Sequence, residues 1–438
     1  MKRLVLLGFL FAAAAAQPAF LLSLRDHPAW KAAEARRAAT ALNARLSPNW
    51  IELDASGGWS RRELDEGAPC PFLRDPDPTN DVLCSFLTPD LPDEFTQAQI
   101  GITLRPLPFG DYADRQRQRS VDDREAELEF RLARARMEAS ALRAALGVIE
   151  AERGLALSNE ARLLAEKALA ATRLRHQNGA ASGRELRDAG LALDQARERV
   201  RTGQERLELA QATLRTFTDE APPDPPWFRS PLPRAEPPDV QRARMQLERA
   251  RIARSNARRD AWPIVQLEYR RQLDEQNLLG VAVESRTLGT RFYFDHASYA
   301  DPARSRTKSE VKIGARLDLS VDTWAGMENA RLLVEAARRS LEGALRSSEI
   351  EVRRYRDAIQ QRTRAVALAE RALENARRTE EESAHRLELG LTSPLEHLDR
   401  QLDRATAEFE LIKARHDVLR AQLDYLVYLG IPPSEVWR

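Results

Sequence analysis

One short pattern, present twice in this 438-residue chain, constrains its fold more than any other feature. A long helical pattern breaks at a glycine and resumes a few residues later, and the two copies align without a gap when Gly179 is placed on Gly390. The residues that then coincide are Ser182 with Ser393, Glu185 with Glu396, and Asp188 with Asp399. Because a left-handed glycine ends a helix and a serine with glutamate three residues later caps the next one, each copy predicts the tip of a helical hairpin.

The elements around the tips recur in the same order, so the chain divides into two repeats. Residues 17–217 and 238–438 would each contain a short helix, a strand, a polar connection, a second strand, a long helix, a tip and a return helix. The short helices are expected to start at Pro28 and at Pro238. Residues 218–237 are dense in proline and are expected to form a linker.

Four segments alternate apolar and polar residues, which predicts strands with one apolar and one charged face. They start at Ile51 and Gln97 in the first repeat and at Val265 and Val311 in the second. A long polar connection is expected between the two strands of each repeat. Taken singly, such a strand is typical of a half-buried sheet with one solvated face, but the sequence provides no other segment to cover that sheet.

The two long helices are expected to extend over roughly 65 residues, or about 100 Å at 1.5 Å per residue. Small residues recur at heptad spacing, which predicts coiled-coil seams that let neighbouring helices approach closely. They are Gly147, Gly154, Ala161 and Ala168 in the first repeat and Ala358, Ala365 and Ala372 in the second, where Ile359, Val366 and Leu373 run beside them. The return helices are much shorter, so each short helix is expected to stack end to end on a return helix.

Composition excludes several classes of function. Charged residues make up 31% of the chain and aromatic residues 6%, which suits long helices better than one large globular core. The formal net charge of +1 gives no indication of a nucleic-acid partner. The sequence contains no phosphate-binding loop, nucleophile elbow or paired-carboxylate catalytic site, so neither an enzyme nor a cofactor is expected.

Residues 1–16 have the pattern of a secretory signal peptide: a basic start, an apolar run and an alanine-rich cleavage site. A short anchor helix is the alternative, although the apolar run is short for crossing a bilayer. No later run is long and apolar enough for a transmembrane helix. The chain is therefore expected to be exported.

Two cysteines, Cys70 and Cys84, lie in a loop rich in proline and aspartate. In an exported chain they are expected to form a disulfide, with a metal site or a redox pair as the alternatives. The six histidines are scattered without metal-ligand spacing, so no metal site is expected from them. His397 and His416 are expected on helix surfaces.

Several junctions carry a resemblance to a known family. They are the helix–proline–strand junctions at Pro48 and Pro263, the passages 106–110 and 324–326 into the long helices, and the tip at 389–394. Their order, repeated twice after a signal peptide, resembles the TolC-like outer membrane efflux protein (outer membrane factor) family along nearly the whole mature chain.

The resemblance implies an α+β membrane protein that forms a homotrimer. Each subunit would give four strands to one twelve-stranded β-barrel in the cell outer membrane, and the helices would continue it as a long coiled-coil barrel in the periplasm. One face of the strands would contact outer membrane lipid and the other would line the pore. The lipid-facing residues would be Ile51, Leu53, Ile100, Ile102, Val265, Leu267, Ile313 and Leu317, and the pore-facing residues Glu52, Asp54, Gln266, Glu268, Lys312, Arg316 and Asp318.

The same resemblance implies the passive exit duct of a tripartite efflux or type I secretion system. Its partners would be a periplasmic adaptor (membrane fusion) protein and an inner-membrane transporter. The pore constriction would be formed by Glu396, Asp399, Glu185 and Asp188. The adaptor would dock on the tip residues Gly179, Ala180, Gly390, Leu391, Thr392 and Ser393. Each carboxylate also fits a charge favoured by a helix N terminus, and the two roles are compatible.

Two other functions stay open from the sequence: a periplasmic adaptor and an envelope-spanning structural coiled-coil trimer. An adaptor usually has one helical hairpin flanked by glycine-rich β segments, whereas this chain has two hairpins and four alternating strands. A structural trimer would share the long helices but would not conduct ions.

Overall fold

The structure is a computed structural model. It describes residues 19–46, 50–61, 94–107, 109–223, 228, 232–274, 276–298, 308–317 and 320–437. The expected signal peptide at 1–16 and the expected disulfide between Cys70 and Cys84 lie outside the described residues.

The described residues form two compact units, each built from separated stretches of the chain. Those within Met1–Ala38, Glu125–Ala243 and Leu341–Arg438 form a helical unit. Those within Ala39–Arg124 and Arg244–Ser340 form a second unit, which contains the sheet. Residues from both halves of the chain therefore contribute to each unit.

Seven α-helices occur in the described part of the chain. They are α1 (Ala19–Ser23), α2 (Pro28–Leu46), α3 (Gly110–Gln177), α4 (Gly183–Arg215), α5 (Pro238–Asp260), α6 (Val321–Glu388) and α7 (Pro394–Leu429). The two long helices, α3 and α6, contain 68 residues each, which confirms the expected length. Strong helix formers and ion pairs one turn apart, such as Arg162 with Glu166 at 2.8 Å, favour these helices. None of the described helices is both long and apolar enough to cross a membrane.

The short helices stack end to end on the return helices, as their lengths predict. The end of α4 meets the start of α2, where the rings of His27 and Phe217 stack with 6.0 Å between their centroids. The end of α7 meets the start of α5, where a Cβ added to Gly430 would lie 2.9 Å from Cγ of Pro238. Each stacked pair therefore acts as one longer, interrupted helix.

The core of the helical unit lies where α3, α7 and the segment after α1 meet. Its fully buried leucines are Leu142 and Leu146 on α3, Leu423 and Leu426 on α7, and Leu24 just after α1. Burying a leucine side chain contributes about 1.5–3 kcal/mol, so this cluster is a major source of stability.

The heptad of small residues lies only partly at helix contacts. Gly154 on α3 faces α7, where an added Cβ would lie 3.5 Å from the ring of Phe409. On α6, Leu373 is buried, but Ala365 and Ala372 are exposed within the single chain. The predicted seam is therefore not formed at these two alanines within the single chain, and a seam there between copies stays a prediction.

An antiparallel sheet of six strands forms the centre of the second unit. The strands are β1 (Ile51–Arg61), β2 (Glu94–Leu104), β3 (Ile264–Gln272), β4 (Asn277–Glu284), β5 (Thr290–Ala297) and β6 (Ser309–Arg316). Their order across the sheet is β1-β2-β5-β4-β3-β6. The four strands predicted from alternation are confirmed as β1, β2, β3 and β6.

The hairpin formed by β4 and β5 corrects the prediction of four strands per subunit. It lies within the connection between β3 and β6, which composition predicts to be a polar loop. Alternate residues of both strands are apolar, notably Val281 on β4 and Phe292 on β5, and β-branched and aromatic residues favour strands. Charged residues near the turn, including Glu284, Arg286 and Arg291, obscure this alternation in the sequence.

Candidate functional site

The two tips between the long and return helices have the same backbone geometry. In the first tip the N–H of Ala180 donates to the carbonyl of Arg175 at 2.8 Å. In the second tip the N–H of Leu391 donates to the carbonyl of Arg386, also at 2.8 Å. The glycine before each donor has a positive φ, 75° in the first tip and 69° in the second. Such a bond around a left-handed residue closes a helix C terminus, so the predicted glycine turns are confirmed.

Gly390→Ala is expected to loosen the second tip. A left-handed backbone costs a residue with a Cβ about 1–2 kcal/mol, and no atom within 4 Å of the Cβ position adds a steric effect. Amide hydrogen exchange across 386–393 should therefore accelerate about tenfold, since about 1.4 kcal/mol corresponds to a factor of ten. Gly343→Ala is the control, because this glycine also has open space but an ordinary helical backbone. Equal exchange in the two variants would contradict the assigned turn.

Each return helix begins at a serine cap. The Ser182 hydroxyl accepts the Glu185 N–H at 3.2 Å, and the Glu185 carboxylate accepts the Ser182 N–H at 2.6 Å, which completes a capping box. The Ser393 hydroxyl accepts the Glu396 N–H at 3.1 Å, but the Glu396 carboxylate accepts the Thr392 hydroxyl at 2.5 Å. Both predicted caps are confirmed, and Glu185 has the helix-capping role that the alternative interpretation expects.

The surroundings shift the pKa values of two tip carboxylates in opposite directions. Hydrogen bonds from the backbone and side chain of Ser182 lower the pKa of Glu185. Partial burial of its carboxyl group, together with the negative charges of Asp403 and Glu396, raises the pKa of Asp399. Asp399 therefore gains a proton at a higher pH than an ordinary aspartate.

The four residues predicted to form a constriction are exposed near the starts of their helices. Glu185 and Asp188 share one face of α4, and Glu396 and Asp399 share one face of α7, because residues three apart are neighbours on a helix surface. Asp188 also lies 3.8 Å from Arg184. Each pair is thus brought together on its own helix, and the ring that further copies would complete stays a prediction.

Two polar contacts join α6 to α7 near the second tip. The His397 Nδ1 on α7 lies 2.8 Å from the Ser383 hydroxyl on α6, and Arg404 on α7 pairs with Glu380 on α6 at 2.7 Å. His397 is half-buried and contacts the neighbouring helix, which corrects the prediction that it lies on a helix surface. Ser383 and His397 lie equally far along the chain from Gly390. This symmetric spacing about the turn is the sequence signal that could have predicted their contact.

The prediction that His416 lies on a helix surface is wrong. Only 2% of this residue is exposed, and its Nδ1 donates to the Glu150 carboxylate on α3 at 2.9 Å. Arg420 lies 2.6 Å from the same carboxylate. Burial raises the pKa of Glu150, but the hydrogen bonds from His416 and Arg420 outweigh it and lower the pKa. Helical periodicity could not reveal this contact, because the partners are 266 residues apart in the chain.

One face of the six-stranded sheet is polar. The register aligns one row across all six strands: Asp54, Gly101, Tyr293, Gly280, Arg270 and Glu310. Contacts on this face cross the sheet, because Arg291 of β5 pairs with Asp54 of β1 and Tyr293 of β5 donates to Glu268 of β3. The predicted pore-facing residues on this face are Glu52, Asp54, Gln266, Glu268, Lys312 and Arg316, while Asp318 lies outside the described residues.

The opposite face of the sheet is apolar and exposed. The exposed fraction reaches 74% at Leu53 on β1 and 75% at Ile313 on β6. The predicted lipid-facing residues on this face are Ile51, Leu53, Ile100, Ile102, Val265, Leu267 and Ile313, and Leu317 is exposed just beyond β6. A large contiguous apolar face marks a surface for lipid or for another protein chain.

Exposed aromatic residues lie near the ends of the strands. Trp50 precedes β1 and Trp262 precedes β3, both at the sheet end where β2 and β6 finish. Phe109 follows β2 at the same end, and Trp59 lies near the opposite end of β1. Tryptophan is enriched at both boundaries of a membrane, so this distribution suits a sheet that spans one.

Solved structures share this fold. The outer membrane protein VceC from Vibrio cholerae matches with a TM-score of 0.65 and 15% identity, covering 94% of this chain and 95% of that chain. The Campylobacter jejuni CmeC outer membrane channel matches with a TM-score of 0.63 and 15% identity, covering 94% and 84%. A membrane protein from Pseudomonas aeruginosa matches with a TM-score of 0.63 and 17% identity, covering 95% and 91%. No protein-family model and no curated protein sequence matches the chain.

These matches extend over almost the whole chain and include both the helices and the sheet. The fold is that of the TolC-like outer membrane channels, which confirms the resemblance carried by the sequence at the level of architecture.

Proposed function

We propose that this protein is an outer membrane channel, the passive exit duct of a tripartite efflux or type I secretion system. The observation that carries the proposal is the two-faced sheet: a chain with the TolC-like fold exposes a continuous apolar face and holds ion pairs on the other. Such a sheet is stable where lipid covers the apolar face and water the polar face. The proposed location is the cell outer membrane, with the helical part in the periplasm.

The proposed assembly is a homotrimer whose sheets close one barrel, as the family resemblance implies. β1 and β6 are the edges of the single-chain sheet, since each pairs with one neighbour in the described part of the chain. An open edge in lipid leaves backbone N–H and C=O groups without partners, so the edges of adjacent copies would pair. Exposed apolar residues along α6, such as Leu332 and Ile350, would be covered by helices of an adjacent copy.

The two tips are the proposed entrance. Three copies would bring the carboxylates of Glu396, Asp399, Glu185 and Asp188 into acidic rings that restrict passage and attract cations. A periplasmic adaptor would dock on the tip residues, which are Gly179, Ala180, Gly390, Leu391, Thr392 and Ser393. Outward rotation of the inner coiled coils would then open the entrance to cargo from an inner-membrane transporter.

Glu396→Ala combined with Asp399→Ala is expected to raise single-channel conductance and to weaken block by divalent cations roughly tenfold, a loss of about 1.4 kcal/mol of attraction per cation. The measurement uses purified trimers in a planar lipid bilayer with increasing Mg²⁺. Glu388→Ala is the control, because it removes an exposed carboxylate just before the same tip and should change neither property. Unchanged conductance and unchanged block in the double variant would refute the ring.

The two shifted carboxylates predict opposite effects of pH on stability. The raised pKa of Asp399 means that its ionised form is disfavoured in the folded protein, so Asp399→Asn should raise the thermal midpoint at pH 7. The gain should disappear as pH falls through the raised pKa. Glu185 has a lowered pKa, so Glu185→Gln should reduce the midpoint at pH 7, and the loss should disappear as pH falls through the lowered pKa. Shifts of the same sign in both variants would contradict these assignments.

A further inference from the structure

We infer that the β4–β5 hairpin is an integral part of the membrane wall, so that each subunit presents six strands to lipid and pore. The inference rests on the proposed function. Its first support is the strand order: β2 pairs with β5 and β3 pairs with β4, so within the described sheet the hairpin separates β2 from β3. If the hairpin left the sheet, β2 and β3 would have open edges in lipid unless they paired directly with each other.

The hairpin continues the apolar face of the flanking strands. In the register Phe292 lies opposite Ile102, Phe294 lies opposite Ile100, and Val281 of β4 lies opposite Phe292. Phe292 is 43% exposed and Phe294 is 37% exposed, as expected for side chains that face outward. Aromatic and β-branched pairs across strands stabilise a sheet by roughly 0.2–1 kcal/mol each. The hairpin thus offers lipid the same kind of surface as its neighbours.

The polar residues of the hairpin bind strands on both sides of it. Arg291 pairs with Asp54 on one side, and Tyr293 donates to Glu268 on the other. The sheet leaves space for the tyrosine ring, because a Cβ added to Gly280 would lie only 2.1 Å from its Cζ. A hairpin that folded away from the sheet would lose both contacts.

The turn of the hairpin is fixed as well. Arg286 in this turn lies 3.3 Å from Asp111 at the start of α3 and also pairs with Asp260 at the end of α5. Arg259 of α5 approaches the same Asp111 at 2.9 Å. The turn is therefore held at the end of the sheet where the helices begin.

A barrel built from six strands per subunit is wider than one built from four. Three copies of a six-stranded sheet make 18 strands, in place of the twelve that four strands per subunit would give. Because barrel diameter grows roughly linearly with strand number, the pore would be about 1.5 times wider at the level of the membrane.

Site-directed labelling tests the inference in the full chain, after Cys70→Ser and Cys84→Ser remove the native cysteines. Phe292→Cys and Arg291→Cys occupy adjacent positions on opposite faces of β5, while Leu53→Cys and Ser56→Cys are the matched pair on β1. Each thiol receives a bimane fluorophore, and trimers are reconstituted into vesicles with brominated phosphatidylcholine. The labels at Phe292→Cys and Leu53→Cys are expected to lose most of their fluorescence, and those at Arg291→Cys and Ser56→Cys to keep it.

The outcomes separate the inference from the proposed function. Quenching at Leu53→Cys without quenching at Phe292→Cys would overturn the six-stranded wall and leave the membrane assignment supported. No quenching at Leu53→Cys would refute the membrane assignment itself. Val281→Cys on β4 provides a second measurement if the β5 variants fail to assemble, and it is expected to be quenched.

Discussion

Gly110→Ala is expected to prevent folding of the unit that contains the sheet. Gly110 has a φ of 56°, and an added Cβ would lie 1.8 Å from the carbonyl oxygen of Arg286. The obstructing atom belongs to the backbone, and the side chain of Arg286 is held by Asp111 and Asp260, so the turn cannot move aside easily. The expected loss is more than about 4 kcal/mol, which is exceptional for one substitution. The measurement is the yield of heat-resistant trimer together with the urea midpoint followed by circular dichroism.

Gly326→Ala is the matched control. This glycine lies in the corresponding passage into the second long helix, has no atom within 4 Å of its Cβ position and has no left-handed backbone. Alanine there is expected to leave stability unchanged or to raise it by up to about 1 kcal/mol. A Gly110→Ala protein with the parent's midpoint would show that the turn is not packed against α3 as described.

Glu138→Ala is expected to reduce the free energy of unfolding by about 3–5 kcal/mol, as removal of one partner of a buried ion pair typically does. Only 1% of Glu138 is exposed. Its carboxylate accepts the backbone N–H of Ser434 at 2.8 Å, the Ser434 hydroxyl at 2.9 Å and Arg134 Nε at 2.8 Å. Alanine would leave the arginine charge and the Ser434 donors without this acceptor.

The urea midpoint of Glu138→Ala is compared with that of Glu152→Ala, which removes an exposed carboxylate from the same helix. The control is expected to change stability by less than about 0.5 kcal/mol. Glu138→Gln should fall between the two, because the amide oxygen still accepts a hydrogen bond but carries no charge. Equal midpoints for Glu138→Ala and Glu152→Ala would contradict the role of Glu138 in holding the C-terminal segment.

The helical hairpins could be predicted from sequence because their signals are local. A left-handed glycine and a serine cap act within a few residues, so the tips at Gly179 and Gly390 follow directly from the pattern. The stacking of short helices on return helices follows from length alone. The acidic pairs after the tip glycines are also visible as local sequence patterns. Whether they form a ring depends on contacts between copies of the chain, which the sequence of one copy does not show.

The β4–β5 hairpin and the buried polar contacts could not be predicted because their signals are not local. Charged residues that flank the hairpin turn have partners on other elements, such as Arg291 with Asp54, so composition suggests a polar loop. Glu138 and His416 are polar residues in helices, which usually indicates a solvated face. Their burial depends on partners that are 296 and 266 residues away in the chain.

Ion current through purified trimers tests most directly the claim that this chain forms an outer membrane channel. The mature protein would be extracted as heat-resistant trimers and added to a planar lipid bilayer under an applied voltage. We expect discrete single-channel steps that Mg²⁺ blocks and that Glu396→Ala with Asp399→Ala enlarges. Trimers that insert into lipid but carry no current would contradict the channel and support a structural scaffold. A chain that does not enter lipid would contradict the membrane assignment and leave the periplasmic adaptor as the function to examine.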